Sequence, residues 1–487
     1  MMKRRLVWLF VVTVAVGGCE QLSPEMQLIH DAANAHGGVE AVEQVATLRI
    51  EGSGNNFRLG QNPTPDAALP RAAVESYTVE ADLRNHRMRW EIASANFAGR
   101  VNTAVTAMDG DVAFNIGQEG ARRVAAWVAR DRHAEFYHHP LTLLQVALVE
   151  VEEGMPPRVG NLRQEAGNDV ADITTPDGSE LTLHVDPESR HVARIESTAY
   201  NSNLGDIETA TAFRDYAAAG GLLLPGAITR TIDRQPVTFL RVSHTVDADV
   251  GDLAAPADVA SAPEPGPPAA NVTDEELADG VWLLAGQSHH SVLIELAENA
   301  VLVEAPQHDA RTLAAIARAR ELVPDKPLSH VVNTHHHFDH SGGIRAAVAE
   351  GLTVITHETN RDLFEELASR PHTVVTDHLA QQPAELMLET VAGDDTLELG
   401  EGRRTMQVFR MGDNPHADGT LVVHLPGERM LIQADMFIPG VGGEFARTAA
   451  ALLAAIEERN LRVDQLVPIH GGGLPLSALE EAVEAGN

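Results

Sequence analysis

The sequence predicts an α+β protein in which a β-rich antiparallel domain precedes a domain of alternating strands and helices. Its 487 residues, 44% of them hydrophobic, are enough for two or three cores. Apolar and polar residues alternate in segments 87–92 and 181–185, which is the period of half-buried antiparallel strands. Later in the chain, short apolar segments such as 281–284 alternate with helical stretches such as 312–321, which indicates sheets covered by helices.

The first residues have the pattern of a secretion signal. Three basic residues at positions 3–5 are followed by an apolar run, 6–16, that is too short to span a bilayer as a mature helix. The run ends in Val-Gly-Gly-Cys, and this Cys19 is the only cysteine of the chain. The ending resembles the site at which bacterial lipoproteins are cleaved and acylated. Residues 1–19 are therefore predicted to be a lipoprotein signal peptide and lipobox, with Cys19 as the lipidation site.

A lipid on Cys19 would anchor the protein in a membrane of the bacterial cell envelope. Glu20 follows the cysteine, where the resemblance gives Asp for retention in the inner membrane. We therefore expect an outer-membrane anchor facing the periplasm. The alternative for Cys19, a buried free thiol, fits poorly with its position directly after an apolar run and two glycines. A mature chain with this one acylated cysteine would have no disulfide.

The charge balance argues against nucleic acid as a partner. Acidic residues outnumber basic ones by 70 to 36, which gives a net charge of -34. Binding of a phosphate backbone requires clustered Lys and Arg. The negative charge is more typical of a soluble surface.

Residues 20–251 are predicted to form the β-rich accessory domain. Turn signals separate its strands, and an apolar stretch at 141–149 is more typical of a helix. The segment His-Gly-Gly at 36–38 and the segment 213–225 resemble the curved antiparallel half-barrel of the periplasmic lipoprotein-carrier family. That resemblance implies a lipid or acyl ligand in this domain, and a structural or docking module is the equally weighted alternative.

A stretch rich in alanine and proline, residues 252–273, is predicted to be a linker that is semi-rigid where its prolines cluster. It contains almost no large apolar residue. The remaining residues, 274–487, have a normal size for one domain.

The strongest functional signal is the segment Asn-Thr-His-His-His-Phe-Asp-His-Ser-Gly-Gly at 333–343. Its candidate ligands are His335, His337, Asp339 and His340. They are too close in sequence to share one face of a helix or strand, so they must converge from a loop. Imidazole and carboxylate together suit zinc or a similar divalent ion. The pattern resembles the signature of the metallo-β-lactamase superfamily, which implies that superfamily's αβ/βα sandwich for residues 274–487.

Further candidate ligands follow in the order that the superfamily has them, each at or near the end of an apolar strand. They are His416, Asp435 and His470. The resemblance implies two zinc sites. The ligands of the first would be His335, His337 and His416. The ligands of the second would be Asp339, His340 and His470, and Asp435 would bridge the two ions.

Two such ions predict a hydrolase. A water held between them would lose a proton near neutral pH and attack as hydroxide, while the ions polarise the electrophile. Asp339 is the predicted catalytic residue, which orients this hydroxide and passes a proton to the leaving group. The substrate would be a small molecule with an ester, lactone, thioester, amide or related bond. His289 and His290 are tentative substrate contacts, with plain loop residues as their alternative.

Several alternatives compete with this interpretation. A class B3-like β-lactamase is allowed, whereas subclasses with a cysteine ligand are excluded because the predicted catalytic domain has no cysteine. His337 argues against flavodiiron oxidoreductases, and a mononuclear iron sulfur-dioxygenase is a more distant alternative that metal identity would distinguish. From another class, the chain could be a non-enzymatic envelope lipid-binding lipoprotein with a structural metal site.

Overall fold

The structure is a computed structural model that describes residues 22–96, 99–149, 155–156, 158–266, 270–402, 404–412, 414–441 and 444–486. The predicted signal peptide and Cys19 lie outside the described residues, and so do two prolines of the predicted linker, Pro267 and Pro268. Within the described ranges, no helix combines the length and the apolar character that crossing a membrane requires.

The N-terminal domain is built on a thirteen-stranded sheet in which every neighbouring pair is antiparallel. Its strand order is β6-β5-β4-β3-β2-β1-β15-β14-β11-β10-β9-β8-β7, and β12 and β13 form a separate hairpin. The strands are β1 (Thr47–Phe57), β2 (Arg71–Asp82), β3 (Arg87–Ala95), β4 (Val101–Asp109), β5 (Val112–Gly117), β6 (Gly120–Arg123), β7 (Val159–Glu165), β8 (Asn168–Thr174), β9 (Glu180–Val185), β10 (Val192–Asn201), β11 (Gly205–Arg214), β12 (Ala217–Ala219), β13 (Leu222–Leu224), β14 (Ala227–Ile232) and β15 (Gln235–Val246).

Two arms of this sheet meet at one pair of strands. Each arm is made of strands that are close in sequence, whereas β1 and β15 pair over a long distance, with Leu48 opposite Val246. Two glycines of β1 allow this close approach, because a Cβ on Gly52 or Gly54 would lie 2.3 or 2.0 Å from a carbonyl oxygen of β15. The predicted β-rich antiparallel domain is thus confirmed.

Helices pack on the sheet and form the core of the domain with it. They are α1 (Pro24–Ala35), α2 (Val39–Gln44), α3 (Ala126–Tyr137) and α4 (Pro140–Leu148). Ile29 of α1 and Leu144 of α4 are fully buried in one cluster with strand residues such as Leu48 and Leu183. Helix α4 covers most of the apolar stretch at 141–149 that the sequence marked as helical, and Gln145 is its only residue that is not buried.

His36 is a buried residue at the end of α1 that forms hydrogen bonds with strands β13 and β10. Its Nδ1 donates to the carbonyl oxygen of Leu223 at 2.7 Å, and its Nε2 accepts from the amide of Val192 at 3.2 Å. The neutral imidazole can form both hydrogen bonds, because it has one donor nitrogen and one acceptor nitrogen. Burial is the main cause that lowers the pKa of His36 to about 4, against a smaller opposing effect of the Leu223 carbonyl.

This lowered pKa predicts that acid weakens the fold. The unfolded chain takes up a proton on this imidazole near pH 6.5, whereas the folded chain does so only near pH 4. The contribution of the neutral ring to the free energy of unfolding is therefore complete above about pH 6.5 and is lost as the pH falls towards 4. The complete contribution is on the order of 3 kcal/mol. We expect the difference in unfolding free energy between the wild type and His36→Gln, measured by urea denaturation, to shrink from pH 7.5 to pH 4.5. If this difference in unfolding free energy stayed constant over that pH range, His36 would not be a neutral ring in the folded protein.

Part of the predicted linker packs against the N-terminal domain. Helix α5 (Ala257–Ser261) buries Val259 against Ala107 and Phe114 of the sheet. Arg123 also donates to the carbonyl oxygen of Ala262 at 2.7 Å. The stretch was expected to bury almost nothing, but a single valine on one helical turn is enough to attach it.

The C-terminal domain contains two mixed sheets. The seven-stranded sheet runs β16-β17-β18-β19-β20-β21-β22 and the six-stranded sheet runs β23-β24-β25-β26-β27-β28. The strands are β16 (Thr273–Ala278), β17 (Val281–Ala285), β18 (Ser291–Glu295), β19 (Ala300–Val303), β20 (Leu328–Val332), β21 (Thr353–His357), β22 (Leu388–Val391), β23 (Thr396–Leu399), β24 (Met406–Arg410), β25 (Leu421–Leu425), β26 (Met430–Gln433), β27 (Gln465–Pro468) and β28 (Leu474–Pro475).

Helices cover the outer faces of these two sheets. They are α6 (Asp309–Leu322), α7 (Phe338–Ser341), α8 (Ile344–Ala349), α9 (Arg361–Ser369), α10 (His378–Gln381), α11 (Glu444–Glu458) and α12 (Leu476–Gly486), with a 3-10 turn at Glu358–Asn360. One cluster lies between the sheets and contains Val292 and Val423. Separate clusters join α6, α8 and α9 to the first sheet, and α11 and α12 to the second. The order of layers is helix, sheet, sheet, helix.

The two domains are in direct contact. At the start of β11, the carboxylate of Asp206 accepts from the amides of Thr373 and Val374 at 2.9–3.0 Å. Arg370 donates to the carbonyl oxygen of Asp206 at 3.0 Å and forms an ion pair with Asp233 at 2.7 Å. These contacts attach the C-terminal domain to the N-terminal sheet.

Candidate metal centre

The loop that carries the histidine motif begins where β20 ends and runs into α7. Asn333, the first residue after the strand, donates through its side chain to the carbonyl oxygen of His340 at 3.1 Å. The hydroxyl of Ser341 lies 3.0–3.1 Å from the carbonyl oxygens of His336 and His337. The loop is therefore closed on itself, which explains how residues so close in sequence can converge.

The structure brings together all seven ligands that the sequence predicted, in overlapping groups whose ligand atoms lie within 4.8 Å of one another. The first group is His335, His337, His416 and Asp435. The other groups are Asp339, His340 and Asp435, and His289, His340 and His470. Asp339 and His340 lie in the short helix α7, and the other residues lie in loops that follow strands.

Asp435 joins the groups because its two oxygens approach different histidines. Its Oδ2 lies 3.1 Å from Nε2 of His416 and 3.9 Å from Nε2 of His335. Its Oδ1 lies 2.7 Å from Nε2 of His470 and 3.3 Å from Nε2 of His340. Asp435 has a positive φ of 57°, an unusual conformation for a residue other than glycine. The turn is held by the buried side chain of Gln433, whose Nε2 donates to the carbonyl oxygen of Phe437 at 2.8 Å.

The second nitrogen of each of four imidazoles is held by a neighbouring group. These pairs are His335 Nδ1 with Thr334 Oγ1 (3.0 Å), His337 Nε2 with the Asn62 carbonyl (3.1 Å), His340 Nδ1 with Glu304 Oε2 (2.7 Å) and His470 Nδ1 with the Ser288 carbonyl (3.0 Å). Such partners fix the orientation and the tautomer of histidines that bind metals.

Two imidazole nitrogens at the centre, His335 Nε2 and His337 Nδ1, are buried and find no hydrogen-bond partner among the described residues. Nε2 of His340 and Nε2 of His416 are also buried, and they approach the carboxylate of Asp435. Buried polar atoms without a partner are rare in folded proteins, and a metal ion would satisfy them together. The residues present therefore fit one or two divalent ions.

The ionisation of His335, His337 and Asp435 also suits a metal, whereas His340 would have to lose a proton before it could bind one. Burial is the main cause that lowers the pKa of His337 to about 3 and that of His335 well below its ordinary value, so both rings are neutral, as ligands must be. Burial would raise the pKa of Asp435, but the neighbouring His340, His416 and His470 hold it well below its ordinary value. Burial likewise opposes a charge on His340, yet Asp435 and Glu304 raise its pKa well above the ordinary value.

Asp339 is the most accessible acid of the cluster, with 38% of its side chain exposed. Its Oδ2 lies 3.2 Å from Nε2 of His289, and its Oδ1 accepts from Nε2 of Gln61 at 2.8 Å. Burial raises its pKa, but His289 and His340 outweigh this effect and hold the pKa below the ordinary value. Asp339 is thus an ionised carboxylate held by two donors.

The two tentative substrate residues differ in position. His289 is buried, contacts Asp339 and packs edge-on against His470, with ring centroids 4.1 Å apart. His290 lies outside the groups of candidate ligands among the described residues, and its ring nitrogen accepts from the amide of Gly286 at 3.2 Å. Its own amide donates to the carbonyl oxygen of Ile469 at 2.9 Å, so it braces the loop.

The buried guanidinium of Arg311 holds the loop that contains His289 through hydrogen bonds. Arg311 of α6 is fully buried, and its Nη2 donates to the carbonyl oxygens of Leu284 at 2.8 Å and His289 at 3.2 Å. Burial lowers the pKa of Arg311 to about 10, which leaves it charged at neutral pH. The charge of this guanidinium is compensated by carbonyl dipoles of the loop that it positions.

Sequence reasoning missed two residues of this site. Glu304 is fully buried, with Oε1 accepting from the amide of Thr334 at 2.7 Å and Oε2 bonded to His340. Its position directly after the apolar strand β19 was a usable signal, since a lone acid there needs a buried partner. Gln61 belongs to the N-terminal domain, and no local pattern connects it with Asp339.

The comparisons with known proteins place the C-terminal domain. Residues 284–470 match the family model described as the metallo-beta-lactamase superfamily. The matched segment is less than half of the chain, and it begins in β17 and ends at His470. The C-terminal domain is therefore a metallo-β-lactamase-type domain, and the αβ/βα sandwich predicted for it is confirmed. No curated protein matches the sequence of this chain.

Solved structures similar to this chain include several metallo-β-lactamases. One is a metallo-beta-lactamase from Pontibacter korlensis, with 19% identity and a TM-score of 0.35, covering 44% of this chain and 98% of that one. Another is FIM-1 from Pseudomonas aeruginosa in its mono-zinc form, with 21% identity, a TM-score of 0.35, and coverage of 45% and 96%. A third, from Hirschia baltica, has 20% identity, a TM-score of 0.34, and coverage of 44% and 97%.

Proposed function

We propose that this protein is a hydrolase that uses two zinc ions to cleave an ester, lactone, thioester, amide or related bond of a small molecule. The observation that carries the proposal is Asp435, whose two oxygens face separate groups of imidazoles. A structural zinc site is normally closed by four protein ligands. Seven candidate ligands shared by two ions leave positions for water, which favours catalysis over a structural role.

The bound zinc ions, Asp339 and His289 would have different roles in such a reaction. Bound zinc would supply a water of lowered pKa and Lewis acidity towards the electrophilic oxygen. Asp339 can reach a substrate because it is partly exposed, whereas Asp435 is buried. The carboxylate of Asp339 would accept the proton that the attacking water releases and would pass it to the leaving group. His289 keeps that carboxylate in place from one side.

A small cavity next to the ligands is suited to part of a substrate. It has a volume of about 230 Å³ and its walls include His416, Pro415, Arg447 and Thr448. This volume is below the range of about 300–1,000 Å³ that is usual for sites of drug-sized ligands. We therefore expect a small acyl or leaving group to occupy it.

The test is the metal content of residues 20–487, produced without the anchor and measured by elemental mass spectrometry. We expect about two zinc ions per chain, and about one in the double variant Asp339→Ala/His470→Ala, because both residues belong to the predicted second site. Hydrolysis is then measured on a panel of esters, thioesters, lactones, β-lactams and amides. One iron per chain would instead direct the search to oxygen chemistry. A folded protein that retains no metal after addition of zinc would refute the proposal.

The panel also separates the competing functions. Cleavage confined to β-lactams would identify a class B3-like β-lactamase, which the absence of any cysteine from the C-terminal domain allows. Binding of a lipid by a protein without metal or hydrolytic activity would favour the envelope lipid-binding lipoprotein.

We also propose that the protein is anchored through Cys19 to the outer membrane and faces the periplasm. This proposal is supported by the basic, apolar and Gly-Gly-Cys segments of residues 1–19. The full-length protein is expected in the membrane fraction and Cys19→Ser in the soluble fraction. Equal membrane attachment of both forms would contradict it.

A further inference from the structure

One loop of the N-terminal domain reaches the candidate metal centre. It connects β1 to β2 and comprises residues 58–70. The carbonyl oxygen of Asn62 accepts from Nε2 of His336 at 2.8 Å and from Nε2 of the ligand His337 at 3.1 Å. On the opposite side of the site, the amide of Asp418, two residues after His416, donates to the carbonyl oxygen of Pro63 at 2.8 Å. The loop thus touches two of the segments that supply ligands.

Gln61 is the residue of this loop that meets the predicted catalytic acid. Its Nε2 donates to Oδ1 of Asp339 at 2.8 Å, while His289 lies against the other oxygen. Two donors on the two oxygens fix the plane of the carboxylate. The amide of Gln61 is neutral, so it orients Asp339 without cancelling its charge.

The same loop forms one wall of the cavity beside His416. Gln61, Pro63 and Pro70 face Arg447 and Thr448 of the C-terminal domain across it. A molecule in this cavity would contact both domains. Within the described residues, the cavity therefore exists only while the domains are docked.

The loop is held in a defined shape before any ligand binds. The side chain of Asn62 is buried and donates to the carbonyl oxygens of Thr64 at 2.6 Å and Pro65 at 2.7 Å. Gly60 has a φ of 69°, and a Cβ added to it would lie 2.2 Å from the ring of Phe338. Only glycine permits the backbone of the loop to approach the motif so closely.

We propose that the N-terminal domain completes the active site, with Gln61 as a positioning residue for Asp339 and the loop 58–70 as a wall of the substrate cavity. The kinetic part of this inference rests on the proposed function, whereas the contact between Gln61 and Asp339 does not. The N-terminal domain is then a part of the catalytic unit, and the C-terminal domain alone lacks a donor to its acid and one side of its cavity.

The first experiment compares Gln61→Glu with Gln61→Ala in the full two-domain protein. Glutamate keeps the size of the side chain but replaces the N–H donor by an oxygen that repels Asp339, whereas alanine only removes the donor. We expect kcat to fall by roughly 10–100-fold in both, with Gln61→Glu at least as affected, and KM to stay within about threefold. Gln164→Ala is the matched control, because Gln164 is an exposed glutamine near the end of β7 that also donates to a carboxylate, that of Asp169. A milder effect of Gln61→Glu than of Gln61→Ala would indicate packing alone and overturn the inference.

The second readout does not depend on hydrolysis. Stepwise titration with Co²⁺, followed by absorbance, measures the affinity of each site. We expect the weaker Kd to rise about tenfold or more in both Gln61 variants, because Asp339 loses its orientation. An unchanged or tighter Kd would overturn the inference. A wild type that binds cobalt but cleaves nothing in the panel would refute the proposed function alone, and a wild type that binds no cobalt would refute both.

A third variant displaces the loop without changing Gln61. Gly60→Ala should weaken cobalt binding to the same degree, because its Cβ cannot fit against Phe338. Gly167→Ala is the matched control, since Gly167 also has a positive φ of 83° but no atom within 4 Å of an added Cβ. Equal cobalt affinities of the two alanine variants would show that the contact of the loop is not needed.

Discussion

The variant Asp435→Ala is expected to lose both metal ions and to reduce hydrolysis by roughly a thousandfold or more. Asp435 is buried, and among the described residues it is the one whose oxygens approach histidines of both predicted sites, at 3.1 Å from His416 and 2.7 Å from His470. Without it, Asp339 is the one predicted anionic ligand left to offset two divalent ions. Each site would therefore lose a ligand and a compensating charge at once.

Metal content per chain and the initial rate on the best substrate of the panel measure this loss. Asp464→Ala is the matched control, because Asp464 lies in the same domain, with 60% of its side chain exposed and only a surface ion pair to Arg429. Surface pairs of this kind contribute about 0–1 kcal/mol, so the control should keep its metal and its rate. A protein with Asp435→Ala that still binds two ions would disprove the role of this residue as the link.

Glu304→Gln is expected to weaken metal binding at the second site by about 10–100-fold. In the wild type the carboxylate accepts from Nδ1 of His340 at 2.7 Å and from the amide of Thr334 at 2.7 Å. A glutamine can still accept from Thr334, but its NH₂ group then faces His340. The ring would have to place its proton on Nε2, the nitrogen that faces Asp435, and this tautomer cannot bind a metal through Nε2.

Competition with a zinc chelator measures the two affinities of this variant separately. We expect the first site, which contains His335, His337 and His416, to change little. Glu321→Gln, an exposed glutamate at the end of α6, is the control for the chemical change. Equal loss at both sites would mean that the loop had unfolded, and no loss at either would mean that Glu304 does not set the tautomer of His340.

Much of the C-terminal domain could be predicted because its signals are local. The apolar segment 281–284 and the helical stretch 312–321, which the sequence predicts, lie within β17 and α6. Gly280 and Gly286 flank the strand, so its own residues and their neighbours mark it. The convergence of the seven ligands followed from their order and their positions at strand ends, which the resemblance supplied.

The rest depends on contacts between distant parts of the chain. Gln61 and Asp339 are 278 residues apart, and Glu304 is 36 residues from His340. A sequence pattern within one segment contains no information on which segment will lie opposite. The length of the loop 58–70 was the only local hint, since loops of about 12 residues or more in compact domains are usually functional.

The pairing of β1 with β15 has a consequence for how the chain folds as it is made. Strands β1–β6 and strands β7–β11 each pair with their neighbours in sequence, and such local pairs form early. The other edge of β1 pairs with β15, which ends at Val246, and this edge stays unpaired until β15 has been made. Gly52 and Gly54 leave that edge without side chains that would hinder a foreign strand. The nascent chain is therefore most exposed to mispairing and aggregation at β1, during the interval in which the second arm is still being synthesised.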